Sequence, residues 1–183
     1  GDGKIKLTID ASDDDKPFDV TMKKEGYRDE KVAMTSDIKT EQIINIVPSR
    51  KHAFVSKRSG KYDVFSIDVD GKNEKLLLAG TGSEKDDIAL AIQPNNDVIA
   101  LVSTRDNKTN KDGFLLSTLT IIQPESGEAS SVTTSERVQV VDWIGDNLIY
   151  VQATEGASAT NPKRHRLMSY NYKTKQNNEL ASS

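Results

Sequence analysis

The sequence predicts an all-β chain: a short β segment over residues 1–42, then a four-stranded unit repeated about three times over residues 43–183. Two observations carry this, a strand–turn–strand pattern that recurs three times and period-2 alternation of apolar residues within it. A third removes the competitor, because no long amphipathic helical pattern occurs anywhere in the chain.

In the N-terminal segment, residues 4–9 alternate, Asp13-Asp14-Asp15-Lys16-Pro17 reads as a polar turn, and residues 18–23 and 30–34 read as further strands around Glu25-Gly26. Two or three strands rarely make a stable domain alone. The segment is therefore expected to pack on the first repeat or to be the tail of a truncated domain.

The repeats follow. Residues 43–47, 88–92 and 138–144 are apolar strands, each reversed by a polar turn into a second strand at 52–56, 98–102 and 148–152. A second pair follows each: 62–69 with 74–78, 113–123 with 128–133, and 165–172 with 177–180. Phe65, Ile67 and Val69 alternate with smaller or polar neighbours, as do Met168, Tyr170 and Tyr172. Residues 88–92 and 98–102 are instead apolar on both sides, which predicts a sheet covered on both faces. Four strands at a spacing of about 40–50 residues is the signature of β-propeller blades, with expected limits of 43–85, 86–135 and 136–183. A ring closes with about 4–8 blades. Three leave two apolar faces open, so the missing blades are expected from another copy of the chain (a homo-oligomer), from another fragment, or from residues beyond this piece.

Composition narrows the function. Hydrophobic residues make up 35% and charged residues 29%, which suits a thin, sheet-rich array better than one thick core. With 28 acidic and 25 basic residues the net charge is −3, which argues against a nucleic-acid partner. The absence of cysteine excludes disulfides and thiolate metal sites. No apolar window is long enough to span a membrane. The chain opens on Gly1 without the basic and apolar blocks of a signal peptide, and reads as the soluble part of something longer.

No catalytic constellation stands out. His52 and His165 are the only histidines and fall in different units, and neither a His-Glu-x-x-His nor a Gly-x-Ser-x-Gly pattern occurs. Asp68-x-Asp70-Gly71 has the first oxygens of a calcium loop, but Lys72 and Ala79 stand where further ligands are needed, so a tight turn is expected. The run at Asp13 to Asp15 reads as solvated carboxylates. Gly80-Thr81-Gly82-Ser83-Glu84-Lys85 lacks the Lys-Ser/Thr ending of a phosphate loop and reads as the linker between units. Asn107-Lys108-Thr109 matches a glycosylation sequon. No cofactor or metal is expected. Three residues remain as ligand-binding candidates. Trp143, near a strand end, has two readings, stacking on a ligand such as a sugar ring or burial between blades. Arg164 and Arg166 lie in the basic cluster Lys163-Arg164-His165-Arg166, after a small-residue loop, and are placed to meet an acidic partner.

The stretch Ile67-Asp68-Val69-Asp70-Gly71-Lys72-Asn73-Glu74-Lys75-Leu76 resembles the strand-turn-strand signature of TolB-type, WD-repeat-like propeller blades. The other units keep the strands but depart at the turn, with Glu125-Ser126-Gly127-Glu128 and Lys173-Thr174-Lys175-Gln176. Residues 17–34, with Lys23-Lys24-Glu25-Gly26-Tyr27-Arg28, resemble the end of a PEGA-type β-domain, a small extracytoplasmic module. The resemblance implies a propeller that binds partners in the periplasm or at the cell surface. The leading functional expectation is thus a non-enzymatic binding or scaffold module for a protein or glycan, acting outside the cytoplasm. Two alternatives stand beside it: the accessory propeller of a hydrolase whose catalytic domain lies elsewhere, and a self-associating structural surface protein.

Overall fold

The computed structural model describes residues 17–35, 43–95, 97–154, 156–158 and 160–182. The chain divides into two compact units, Gly1–Ser49 and Arg50–Ser183. The strand expected over residues 4–9 and the Asp13 to Asp15 run lie outside the described residues.

In the first unit, β1 (Phe18–Met22) pairs antiparallel with β2 (Glu30–Met34), Phe18 opposite Met34 and Met22 opposite Glu30. Both strands alternate half-buried and exposed residues, as the period-2 pattern requires. Their connection turns where the Tyr27 N–H donates to the Lys24 carbonyl at 3.0 Å. Residues 47–49 then fold onto that turn: the Arg28 N–H donates to the Val47 carbonyl at 2.8 Å, and the Ser49 N–H to the Gly26 carbonyl at 3.0 Å. This corrects one expectation, because residues 43–47 are not the innermost strand of the first blade. Val47 spends its carbonyl on Arg28, Pro48 bridges Tyr27, and the next strand starts at Lys51, using residues that a reversal would have needed.

The second unit holds three antiparallel sheets, each a meander of sequential strands. The first contains β3 (Lys51–Ser56), β4 (Asp63–Asp68) and β5 (Lys75–Leu78), and so has three strands among the described residues. The second is β6 (Ala89–Ile92), β7 (Ile99–Ser103), β8 (Ser117–Ile122) and β9 (Ala129–Ser135). The third is β10 (Val138–Ile144), β11 (Asn147–Ala153), β12 (His165–Asn171) and β13 (Asn177–Ser182). These are propeller-type blades in an array that does not close into a ring.

The turns before the outermost strands differ in sequence but share a job. Those before β9 and β13 share a geometry as well. The Gly127 N–H donates to the Gln123 carbonyl at 2.8 Å, and the Lys175 N–H donates to the Asn171 carbonyl at 2.9 Å. Both residues sit in the left-handed region, Gly127 at φ 76 and Lys175 at φ 62. Only the glycine does so without steric cost.

The two central strands of the middle sheet, β7 and β8, are buried on both faces. The sheet's side chains alternate between two cores: Val98, Ala100 and Val102 point to the third sheet, and Ile99 and Leu101 to the first. Against the third sheet the partners include Leu148, Tyr150 and Trp143, all with little or no exposure. The Trp143 Nε1–H donates to the Ala91 carbonyl at 3.2 Å, and its ring meets Tyr172 edge-on at 6.0 Å. Trp143 thus crosses from the third sheet into the second, satisfying its one polar atom on the way.

The linker from β5 to β6 is held by close packing. A Cβ on Gly80 would stand 2.8 Å from the Tyr62 backbone nitrogen and oxygen, so only glycine lets the chain pass there. The Gly80 N–H donates to the Asp63 carboxylate at 2.7 Å, and the Ser59 hydroxyl to its other oxygen at 2.6 Å. These two bonds, Gly80 first, hold the Asp63 carboxyl below its ordinary pKa against the opposing effect of burial.

Three outcomes follow from this packing. Trp143→Ala is expected to cost about 3–5 kcal/mol of stability in urea denaturation, the range for truncating a buried aromatic residue. Lys175→Gly is expected to gain about 0.5–1 kcal/mol by relieving the left-handed backbone. Because the folded pKa of Asp63 is depressed, its contribution is full above the unfolded value of about 4 and is lost as pH falls through the folded one. Asp63→Asn should therefore destabilise the chain at pH 7, with the gap to wild type closing below about pH 4 in a pH series of denaturation curves.

Candidate functional site

One end of the sheets gathers the connections that carry side chains outward. The loops 57–62, 104–116 and 154–164 meet the linkers 79–88 and 136–137 there, joined by a chain of hydrogen bonds. The Thr104 hydroxyl donates to the Ser83 carbonyl at 2.9 Å, and Asn110 Nδ2 donates to Glu136 at 3.0 Å. The Ala153 N–H donates to the Arg137 carbonyl at 2.9 Å.

The 104–116 loop is the longest of these and is built around Asn110. The Asn110 carboxamide oxygen accepts from the Asp112 and Phe114 N–H groups at 3.0 and 2.9 Å. Its own N–H donates to the Phe114 carbonyl at 2.9 Å. Thr109 and Leu115 form a bridge, and the Leu116 N–H closes the base on the Lys108 carbonyl at 2.8 Å. The result is a pinned loop that holds Phe114, opposite Asn110 and just after the turn at 111–113, 70% exposed. Sequence reading passed over Phe114, since it was absorbed into a strand expected from residue 113. The Asn-Lys-Asp-Gly run just before it was the available signal of a turn.

The three residues expected to bind a ligand are not brought together. Trp143 is 6% exposed, with its indole between the second and third sheets. Arg164 closes the 154–164 loop: its carbonyl accepts from the Thr154 N–H at 2.7 Å and its guanidinium reaches the Ala157 carbonyl at 3.5 Å. Arg166 lies on β12 at the same end, 3.8 Å from Glu179, with its Nε buried and without a partner. The row of Arg166 and the row of Trp143 are four residues apart along β12, roughly 13 Å at about 3.3 Å per residue.

The other motifs are occupied internally. In the 80–85 linker the Thr81 and Gly82 N–H groups each donate to the Glu84 carboxylate at 2.8 Å. Burial pushes the Glu84 carboxyl up, but donors from Thr81, Glu84 itself and Gly82 outweigh it and hold it low. The chain's own carboxylate therefore fills the anion position that a phosphate would need. At the 68–73 turn, Asn73 Nδ2 donates to Asp68 at 2.7 Å and the Lys72 N–H to Asp70 at 3.2 Å, as a tight turn requires. No group of three or more metal-ligating side chains occurs among the described residues. A notch of about 10 Å³, room for about one water molecule, lies between the first and second sheets beside Val64, Leu78, Glu84, Leu101, Ser103 and Arg105. Among the described residues no helix is long and apolar enough to cross a membrane.

At the opposite end of the sheets, Tyr172 reaches from the third blade to the second, its hydroxyl donating to Asp97 at 2.6 Å. Burial first, then the Asp97 carboxylate, raises the pKa of that phenol, so the hydroxyl stays a donor across the neutral range. Gln93 Nε2 adds a parallel bond to the Gly145 carbonyl at 3.2 Å.

No protein-family model matches the chain, and no curated protein does. Among solved structures it is similar to a TolB protein from Agrobacterium tumefaciens, at 14% identity and a TM-score of 0.46, covering 90% of this chain and 61% of that one. It is similar also to the β-propeller domain of the Trilobed protease from Pyrococcus furiosus, at 11% identity and a TM-score of 0.44, covering 73% and 38%. A third is the acylaminoacyl peptidase from Pyrococcus horikoshii, at 11% identity and a TM-score of 0.42, covering 73% and 23%. The chain spans less than two thirds of the length of each of these. It is an all-β array of propeller-type blades, with neighbours among TolB and peptidase propellers.

Proposed function

We propose that this chain is a non-enzymatic binding module that acts outside the cytoplasm and takes a protein partner on the loop-bearing end of its sheets. One observation supports the surface: the 104–116 loop is pinned at base and tip, yet it holds Phe114 70% exposed. A rigid aromatic side chain loses little freedom when it enters a partner's pocket, and such residues dominate binding energy. Arg164 stands on a neighbouring loop of the same end and supplies a cationic flank for carboxylates of the partner. The extracytoplasmic setting rests on the resemblance to TolB-type blades.

A second reading has its own observation. The third sheet leaves Val141, Ile144 and Leu180 exposed at 57, 65 and 55%, and Ile144, next to the buried Trp143, points to the face away from the second sheet. That face suits self-association, in keeping with a structural surface protein. Sedimentation velocity separates the two readings, since only self-association raises the mass with concentration.

A displayed-peptide library and a glycan array, each screened against wild type, Phe114→Ser and Arg164→Ala, test the first reading. The expected outcome is a set of peptides that bind wild type and lose at least about tenfold in affinity with Phe114→Ser, which is a hot-spot-sized effect, while thermal stability is unchanged. Binders indifferent to both substitutions, or no binders on either array, count against it.

A further inference from the structure

The two layers between the sheets are unequally built. Among the described residues, the layer between the second and third sheets holds twelve buried and three partly buried apolar side chains, against five buried and six partly buried between the first and second. Buried polar atoms also bridge the larger layer: Gln93 to the Gly145 carbonyl, Trp143 to the Ala91 carbonyl, and the Thr133 hydroxyl to Gln152 at 2.8 Å. Such bonds are strong because water does not compete for their partners. Between the first and second sheets, the side-chain ties found among the described residues lie at the rim. Lys75 Nζ donates to the Glu125 carbonyl at 2.5 Å and to the Pro124 carbonyl at 3.4 Å, Arg105 Nη2 donates to the Ala79 carbonyl at 3.2 Å, and Lys51 lies 3.9 Å from Glu125, a pair that solvent screens.

Two further features weaken the smaller layer. Ser66 follows Val64 by two residues on β4, and Ser103 follows Leu101 by two on β7, so both point into this layer. Both hydroxyls are buried and have no hydrogen-bond partner among the described residues. A buried, unpartnered hydroxyl favours the open state, in which water can satisfy it. The small notch beside Ser103 and Leu101 lies in the same layer.

We propose that β3–β5 form a gate that unfolds and refolds as one cooperative unit at the 79–88 linker while the second and third sheets stay folded together. Opening breaks the Asp63 bond to Gly80 and the Tyr62 bond to Asp86, and uncovers Leu90, Ile99, Leu101 and Ile122 as a transient apolar face. The gate is independent of the partner-binding surface at Phe114, and its test uses no ligand.

Hydrogen exchange of the full chain, followed by mass spectrometry across a urea series, reads the opening directly. The central strands of the two end sheets, β4 and β11, are the pair to compare. Amides of Val64 to Ser66 are expected to exchange through a shared opening, with protection at least about tenfold below that of Leu148 to Val151 and a shallower urea dependence. Equal protection and equal urea dependence in β4 and β11 mean that all three sheets open together, and overturn the gate. The double variant Ser66→Ala, Ser103→Ala is expected to raise protection in β4 by about tenfold and leave β11 unchanged. An equal rise in both strands, or none in β4, also overturns it.

Discussion

Every sheet in the second unit depends on the burial of β7 from both sides. A β-strand presents alternate side chains to opposite faces, so a strand that is apolar at every position needs two neighbours rather than one. β7 is buried throughout, and its neighbour β8 nearly so, with Leu119, Ile121 and Ile122 fully enclosed. At about 1.5–3 kcal/mol for each fully buried aliphatic side chain, those two strands carry a large share of the driving force for stacking the sheets. The first and third sheets are placed by this demand, each covering one face of the second. Thr118 meets the same constraint. It is fully buried on β8, yet its hydroxyl meets Thr134 at 3.1 Å and Asp106 at 3.2 Å, so the strand keeps two covered faces without an unpaired group there.

The neighbours differ in how they cover β7. The third sheet does so with aromatic residues, Trp143, Tyr150, Tyr170 and Tyr172, whose polar tips reach to the edge of the layer. Tyr150 exchanges hydrogen bonds with the Asn177 carboxamide at 2.8 and 3.0 Å, and the Tyr172 hydroxyl donates to the Asp97 carboxylate at 2.6 Å. The first sheet covers its face with Ala53, Val55, Val64 and Leu77, shorter side chains with no polar end to anchor. The unequal layers follow from this difference in side-chain type, and the orphaned Ser66 and Ser103 hydroxyls fall on the weaker side.

Much of the fold was legible in the sequence because strand patterning is a local property. The expected strands at 30–34 and 138–144 coincide with β2 and β10, and the continuous apolar run at 98–102 correctly implied two covered faces. The failure at 43–47 is equally physical. Its apolar residues fit a strand, but what they pair with is decided by Arg28 and Tyr27, about twenty residues away in sequence, and periodicity carries no information on partners. The site was less legible for the same reason. Arg164 stood out as one charge in a cluster, whereas its closure of the 154–164 loop depends on a backbone contact with Thr154. Phe114 looked like one more strand residue until Asn110 was seen to gather the loop beneath it.

The outermost strands show how similar geometry arises from dissimilar sequence. β4 with β5, β8 with β9, and β12 with β13 each slip by one residue, at Val64/Phe65, Leu119/Thr120 and Leu167/Met168. The same pairing is irregular in all three sheets, although the preceding turns read Asp70-Gly71-Lys72, Glu125-Ser126-Gly127 and Lys173-Thr174-Lys175. A bulge adds twist and spoils the straight row of donors and acceptors that an edge strand would otherwise offer to another chain. In β13, exposed along its whole length, the bulge falls at Leu180 beside Asn177, Asn178 and Glu179, so a polar, kinked edge surrounds the one large apolar side chain. Edge-to-edge growth is disfavoured by this construction. The apolar surface that remains lies on the sheet faces and at Phe114, and contacts made there depend on side chains rather than on strand pairing.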